Sequence, residues 1–149
     1  MKDLPDPDLA RQRLRLWLHM LKTVRHIEGE LRDRLRAHDT TLPRFDAMAM
    51  LDRTPEGLTL SQLSSRLMVS NGNVTGIIAR LGADGMVERA GLAGDRRACL
   101  VRLTPQGRAA MALMAQAHLS WIDLLMTDTN EADIARTMAV MIELRKDRT

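Results

Sequence analysis

Residues 94–104 read GDRRACLVRLT, and the side chains there with most chemistry in them are Asp95, Arg96 and Arg97. Adjacent guanidinium groups repel each other and are costly to bury, so they should point outward, at something that wants positive charge. Arginine forks match phosphate oxygens and base edges better than an ammonium does. A second polar group lies in SNGNVTGIIAR, where Ser70, Asn71, Asn73, Thr75 and Arg80 are interleaved with Gly72 and Gly76. A third is the basic cluster Arg32, Arg34, Arg36, His38 and Arg44 beside an apolar helix. Cations beside apolar residues suit a ligand that is part anion and part ring.

Covalent and metal chemistry find no such grouping. Ser64–Ser65 has no histidine near it in sequence, and the acidic residues show no motif spacing. His19, His26, His38 and His118 are scattered without a metal-ligand pattern. The sequence therefore predicts a protein that is not an enzyme, with no metal site and no cofactor. Cys99 is the only cysteine, so an intramolecular disulfide is excluded. No apolar run is long enough to span a bilayer, and MKDLPDPDLA lacks a signal-peptide core. The expectation is a cytoplasmic chain without a membrane partner.

The 149 residues predict one domain with a sizeable core. Only three residues are aromatic, so the eleven methionines must fill much of the interior. Net charge is a modest +3, but Lys2, Lys22 and Lys146 are the only lysines, so the basic side is almost all arginine.

The elements that must position these groups follow from periodicity and capping. Asp8 after Pro7 starts a long helix in which Leu9, Leu14, Trp17, Leu18, Leu21, Val24, Leu31 and Leu35 recur at helical spacing, with Gly29 as a weak point. Its stretch Leu16–Leu21 is more apolar than one exposed face requires, which packing on a second subunit explains. Pro43 opens a shorter helix that stops near Pro55 and Gly57. Thr59 with Gln62, flanked by Leu58 and Leu63, forms a capping box and hydrophobic staple for a short helix to about Leu67. Ser70 with Asn73, flanked by Val69 and Val74, repeats the device for a helix to about Leu81. Two short helices with a tight turn between them are a helix-turn-helix. MVERA and ACLVRL are strands joined by the turn GLAGD, with Cys99, Val101 and Leu103 on one face. The fold class is mainly α with a small β-wing. Thr104 and Pro105 start another helix, lined by Met111, Met114, His118, Trp121 and Leu125, and Asn130 caps a last one.

This order, together with LSQLSSRLMVSNGNVTGIIARLGADGMVERAGLAGDRRACLVRLTPQGR, resembles the MarR family of bacterial transcription regulators. The most specific piece is Asp95, Arg96, Arg97, Ala98, Val101, Leu103, Thr104 and Gly107. The resemblance implies a winged helix-turn-helix over about residues 42–104 within a single domain, 1–149. It also implies dimerisation helices over about 8–37 and 105–146. It further implies a homodimer that binds a pseudo-palindromic operator in double-stranded DNA. By that resemblance Arg97 enters the minor groove, Asp95 orients it by a salt bridge, and Arg96 meets a phosphate; a narrow minor groove attracts arginine.

At about 100° per residue, Val74, Ile77, Ile78 and Leu81 form the buried side of the second short helix. Gly72, Gly76 and Ala79 form the opposite stripe, flanked by Asn73, Thr75 and Arg80. Two glycines cost a helix about 1 kcal/mol each relative to alanine, which close approach of backbone to a groove floor would justify. Many family members carry a larger, often basic residue where Gly76 stands. Asn71, Asn73 and Thr75 are then the candidates for base edges, unless Asn73 is spent on the cap.

Family members commonly release DNA when a small molecule binds between the dimer helices and the winged helix. PRFDAMAMLDRTPEGLTLSQLSSRLMVSNGNVTG is similar to members that control breakdown of hydroxycinnamate-type aromatic acids, some of which sense the CoA thioester. That likeness implies a repressor released by an aromatic acyl-CoA, its phosphates on Arg32, Arg34, Arg36, His38 and Arg44 and its acyl end near Trp17, His19, Phe45 and Met48. The rival mechanism is redox sensing through Cys99, which the alternation turns inward on a wing strand. The rival from another class is a protein-interaction module, which leaves the capped helices and the arginine-tipped hairpin unexplained.

Overall fold

The computed structural model describes residues 6–92 and 95–146, with the backbone alone at residues 92 and 95–98. The chain forms two compact units, Met1–Gln116 and Ala117–Thr149. Its helices are α1 (Pro7–Arg36), α2 (Leu42–Asp52), α3 (Leu60–Leu67), α4 (Asn71–Ala83), α5 (Pro105–Leu125) and α6 (Glu131–Leu144). Strands β1 (Val87–Leu92) and β2 (Asp95–Leu103) lie between α4 and α5. The mainly helical class with one small antiparallel sheet is as the sequence predicts.

The caps locate the elements. Asp6, not Asp8, caps α1: Pro7 has no N–H to satisfy and takes the first helical position, so the residue before it becomes the cap. Asp8 N–H donates to Asp6 Oδ1 at 2.9 Å. Gly29 does not interrupt the helix. Thr41 caps α2, which puts Pro43 at its second position. Thr59 and Gln62 form the full reciprocal box on α3 at 3.1 and 2.9 Å. Thr104 and Asn130 sit at the starts of α5 and α6, accepting from Gly107 N–H and Asp133 N–H, both at 2.9 Å.

The wing is longer than its alternation suggests. GLAGD reads as a turn, yet β1 runs through Leu92 and β2 starts at Asp95, and these two residues pair across a register shift between Gly91 and Leu92. Between these last two pairs β1 advances one residue and β2 advances four, from Cys99 to Asp95, so three residues of β2 bulge out while the ladder extends into the glycine-bearing segment. The other unforeseen pairing is an isolated bridge between Leu58 and Val101. Leu58 N–H donates to Val101 O at 2.9 Å, and Val101 N–H donates to Leu58 O at 2.7 Å. Gly57 makes this approach possible: its φ is +99°, and a Cβ there would stand 2.8 Å from Val101 O.

The core of the first unit is aliphatic. Leu35, Leu51, Leu63, Val74, Ile78 and Val101 are fully buried, drawing one residue or more from each of α1 to α4 and from β2. Each such side chain contributes about 1.5–3 kcal/mol by leaving water. Leu63→Ala should therefore cost about 2–5 kcal/mol, read as a fall in the denaturation midpoint at unchanged slope.

Candidate nucleic-acid interface and its adjoining cavity

Helix α3 ends in a left-handed cap at Met68, φ +56°, whose N–H bonds back to the last turn. Ser64 Oγ donates to Val69 O at 2.6 Å and fastens the turn. Ser70 then caps α4, accepting from Asn73 N–H at 3.3 Å. No second half of the box forms here: the hydrogen bonds of the described residues do not engage the Asn73 carboxamide. The device repeats in sequence but not in full geometry.

Burial divides α4 cleanly. Val74, Ile78 and Leu81 are buried and Ile77, expected with them, is only half-buried, whereas Asn71, Gly72, Asn73, Thr75, Gly76, Ala79 and Arg80 are exposed. Gly72 and Gly76 open onto free space, with nothing within 4 Å of a hypothetical Cβ. The exposed face thus bears carboxamides and bare backbone. Thr75 Oγ1 donates to Asn71 O at 2.9 Å, which leaves its lone pairs as the outward chemistry. Arg66 is exposed and donates to the neutral Thr54 Oγ1 at 3.4 Å, which ties it to the core without cancelling its charge.

Asp95, Arg96 and Arg97 start β2, but their side chains lie outside the described residues. Further along the hairpin, Arg102 Nε donates to Glu88 Oε1 at 2.8 Å across the register pair. Cys99 is half-buried on β2. Among the described residues no cluster of His, Cys, Asp and Glu could hold a metal ion, and no helix is long and apolar enough to cross a membrane.

A cavity of about 320 Å³ lies in the first unit between α2, the end of α4 and α5. Phe45, Met48, Leu81, Met86, Met111 and Met114 supply its apolar wall. Its polar wall has His38, Arg44 and Arg80 as basic residues and Asp39 and Asp84 as acids. Of the residues read from sequence as a ligand set, His38, Arg44, Phe45 and Met48 line this cavity. Trp17, His19, Arg32, Arg34 and Arg36 do not. Trp17 is 54% exposed on α1, and the three arginines pair within their own helix, with Glu28, Glu30 and Asp33. Sequence reasoning missed Asp84 and Met86 as lining residues, and gave Met111 and Met114 only as a helix stripe. The spacing of Arg80 and Asp84, four apart on a helix, was the available signal.

Two short capped helices, a fastened turn and a two-stranded hairpin bonded back to the first helix's lead-in make this a winged helix-turn-helix protein. The MarR family model matches residues 38–98. A MarR family transcriptional regulator of known structure from Silicibacter pomeroyi is 31% identical, with a TM-score of 0.79 over 93% of this chain and 96% of that one. The chain belongs to the MarR family of transcription regulators. It is also 27% identical over 113 residues to the transcriptional activatory protein BadR of Rhodopseudomonas palustris. With the HTH-type transcriptional regulator PecS of Dickeya dadantii it shares 32% over 77 residues. These matches cover 74% and 50% of this chain, which spans 65% of BadR and 46% of PecS.

Proposed function

We propose that this chain is a cytoplasmic, DNA-binding transcription regulator that grips a pseudo-palindromic operator as a homodimer. The observation that carries the reading is the exposed face of α4, polar and stripped of side chains at Gly72 and Gly76, beside a hairpin whose tip bears Asp95, Arg96 and Arg97. Asn71, Asn73 and Thr75 read base edges, with asparagine suited to adenine. Ser70 and the backbone at Gly72 and Gly76 sit against the groove, and Arg80 and Arg96 meet phosphates. Arg97, oriented by Asp95, enters the minor groove.

Dimerisation is supported by apolar surface that each unit leaves uncovered. In the first, Leu14 and Trp17 are 58% and 54% exposed; in the second, Leu119 and Met138 are 69% and 58% exposed. Apolar residues in such number along helices mark interaction surfaces. Two-fold symmetry then sets half-sites about one helical turn, roughly 34 Å, apart. Selection of duplexes from a random pool, with light scattering on the free protein, tests both points. A stable monomer, or enrichment of no symmetric site, refutes the reading.

The wing gives a separate expectation. Arg97→Ala weakens operator binding by roughly tenfold or more and alters the preference for A·T-rich flanks. Arg96→Ala weakens all sequences alike and lowers the salt slope by about one. Titrations at several salt concentrations distinguish the two, and wild-type behaviour in both variants removes the wing from the interface.

The effector we propose is an aromatic acyl-CoA of the hydroxycinnamoyl type, whose binding releases operator, which is repressor behaviour. The cavity, about 320 Å³ and walled by Phe45 and methionines, suits a ring with a short acyl chain. Methionine adapts to irregular shapes. CoA itself must then lie outside, near Arg44 and His38. An operator gel-shift with matched thioester and free acid, and CoA alone as control, decides it. Equal potency of acid and thioester removes CoA from the claim. Release by peroxide that is lost in Cys99→Ser replaces the effector by redox sensing.

A further inference from the structure

The N-terminal part of α1 carries a charge pattern that neither α4 nor the hairpin accounts for. From Leu9 to Ile27 there is no acidic residue, whereas Arg11, Arg13, Arg15, Lys22 and Arg25 are all exposed. At about 100° per residue, Arg11, Arg15, His19, Lys22 and His26 fall within about 80° of one another. They make one stripe about 22 Å long. Leu9, Leu16, Met20 and Val24 mark the opposite side of the helix, and Arg13 lies with them. The other end of α1 is built differently. There Arg32, Arg34 and Arg36 each have an acid three or four residues away, Glu28, Glu30 and Asp33. In the stripe only Arg11 has one, Asp8 at 3.7 Å, with side chains 77% and 82% exposed. Among the described residues no ion pair joins Arg15, Lys22 or Arg25. Like charges one turn apart weaken a helix, so the stripe opposes the helix it stands on until an external anion answers it. Leu31 and Leu35 are the buried residues of α1, so the stripe extends up to about 30 Å from where the helix is anchored.

We infer that this stripe docks a second double-stranded DNA segment, through its phosphates, while α4 and the hairpin hold the operator. The inference rests on the proposed DNA-binding homodimer. Duplex phosphates present negative charge continuously, so a stripe of this length tracks about six or seven base pairs without reading them. Arginine forks meet phosphate bidentately, and a neutral imidazole still donates its one N–H. A lipid surface is a poorer match. There an amphipathic helix sinks its apolar side and its cations snorkel from the flanks, whereas these cations stand at the far pole. The operator's own flanks are out of reach. The proposed dimer covers the apolar side of α1 and so sets α1 inboard, near the two-fold axis, while the flanks begin outboard of half-sites roughly 34 Å apart.

The test immobilises the minimal operator obtained by selection, loads the protein, washes, and adds a labelled duplex of unrelated sequence. Wild type should retain the labelled duplex in a salt-sensitive way. Arg11→Gln/Arg15→Gln/Lys22→Gln should retain it roughly tenfold less well or worse, and lower the salt slope by about three per stripe. Affinity for the minimal operator should stay that of wild type. Glutamine is as good a helix former as arginine or lysine, and easing the repulsion should hold or raise Tm, so a loss is not unfolding. Arg136→Gln/Lys146→Gln removes two cations that have acids three residues away, and should retain the duplex fully, which separates the stripe from net charge. Poly-glutamate and phosphatidylglycerol vesicles should compete less well than unlabelled duplex; the reverse order makes the partner an acidic protein or a lipid surface and overturns the inference. So do retention absent in a wild type that binds operator, retention unchanged in the triple variant, and operator affinity lost in parallel with retention. A triple variant that is monomeric where the wild type is dimeric places the stripe in the subunit interface and overturns it too. Failure of the wild type to bind any operator overturns the DNA-binding reading instead, and direct titration of the unrelated duplex against both variants then still reads the stripe.

Discussion

Gly76→Leu should fold and dimerise as the parent does, yet lose operator affinity by roughly a thousandfold, the usual gap between specific and non-specific binding. The fold tolerates the change because a Cβ at Gly76 meets nothing within 4 Å and the position is exposed on α4. Leucine is also a better helix former than glycine, by nearly 1 kcal/mol, so the thermal midpoint should hold or rise. What the isobutyl group spoils is outside the molecule. If bare backbone at Gly72 and Gly76 is what lets α4 sit deep in a groove, a leucine there lifts the helix and strands Asn71, Asn73 and Thr75 short of the bases. Circular dichroism melting and an operator titration on the same preparation read the two halves. Full operator affinity in the variant sinks the close-approach argument.

Gly107→Ala should do the reverse and damage the fold itself. A Cβ at Gly107 would lie 2.0 Å from Met86 O and 2.9 Å from Met86 C, and both are backbone atoms that no rotamer can move aside. The same junction is held by Thr104, whose Oγ1 donates to Gly85 O at 2.6 Å while accepting from Gly107 N–H at 2.9 Å. Relieving the overlap pulls the start of α5 away from β1 and stretches these bonds. Overpacking and a strained cap together should cost about 3 kcal/mol, or roughly 6–12 °C in Tm for a chain of this size. Gly82→Ala is the control: it lies within α4 with nothing within 4 Å, and should stabilise by about 0.5–1 kcal/mol. Equal midpoints in the two variants would show that the junction yields.

Local grammar made much of the fold legible. A cap and its partner are three residues apart, so Thr59, Ser70, Thr104 and Asn130 announce their helices without any tertiary knowledge. The faces of α4 follow from 100° steps alone, and burial of Val74, Ile78 and Leu81 matches them, while Ile77 at the edge of that face is half-buried. Asp6 was misplaced by two residues because proline at the first helical position shifts the cap outward. Long-range geometry was not legible. The bridge from Leu58 to Val101 joins residues far apart in sequence, and no periodicity marks a single paired residue. The cavity likewise depends on α5 passing close to the end of α4, which brings Met111 and Met114 to Arg80 and Asp84. Charge clustering in sequence pointed to Arg32, Arg34 and Arg36 instead, where neighbouring acids one turn away already answer the charge.

The Leu58–Val101 bridge couples two parts of this fold mechanically. The segment that leads into α3 is bonded in both directions to the middle of β2, at 2.9 and 2.7 Å. The helix-turn-helix and the base of the hairpin therefore cannot swing independently without breaking paired backbone bonds in a buried place. The lead-in of α3 and the base of the hairpin are therefore one mechanical piece.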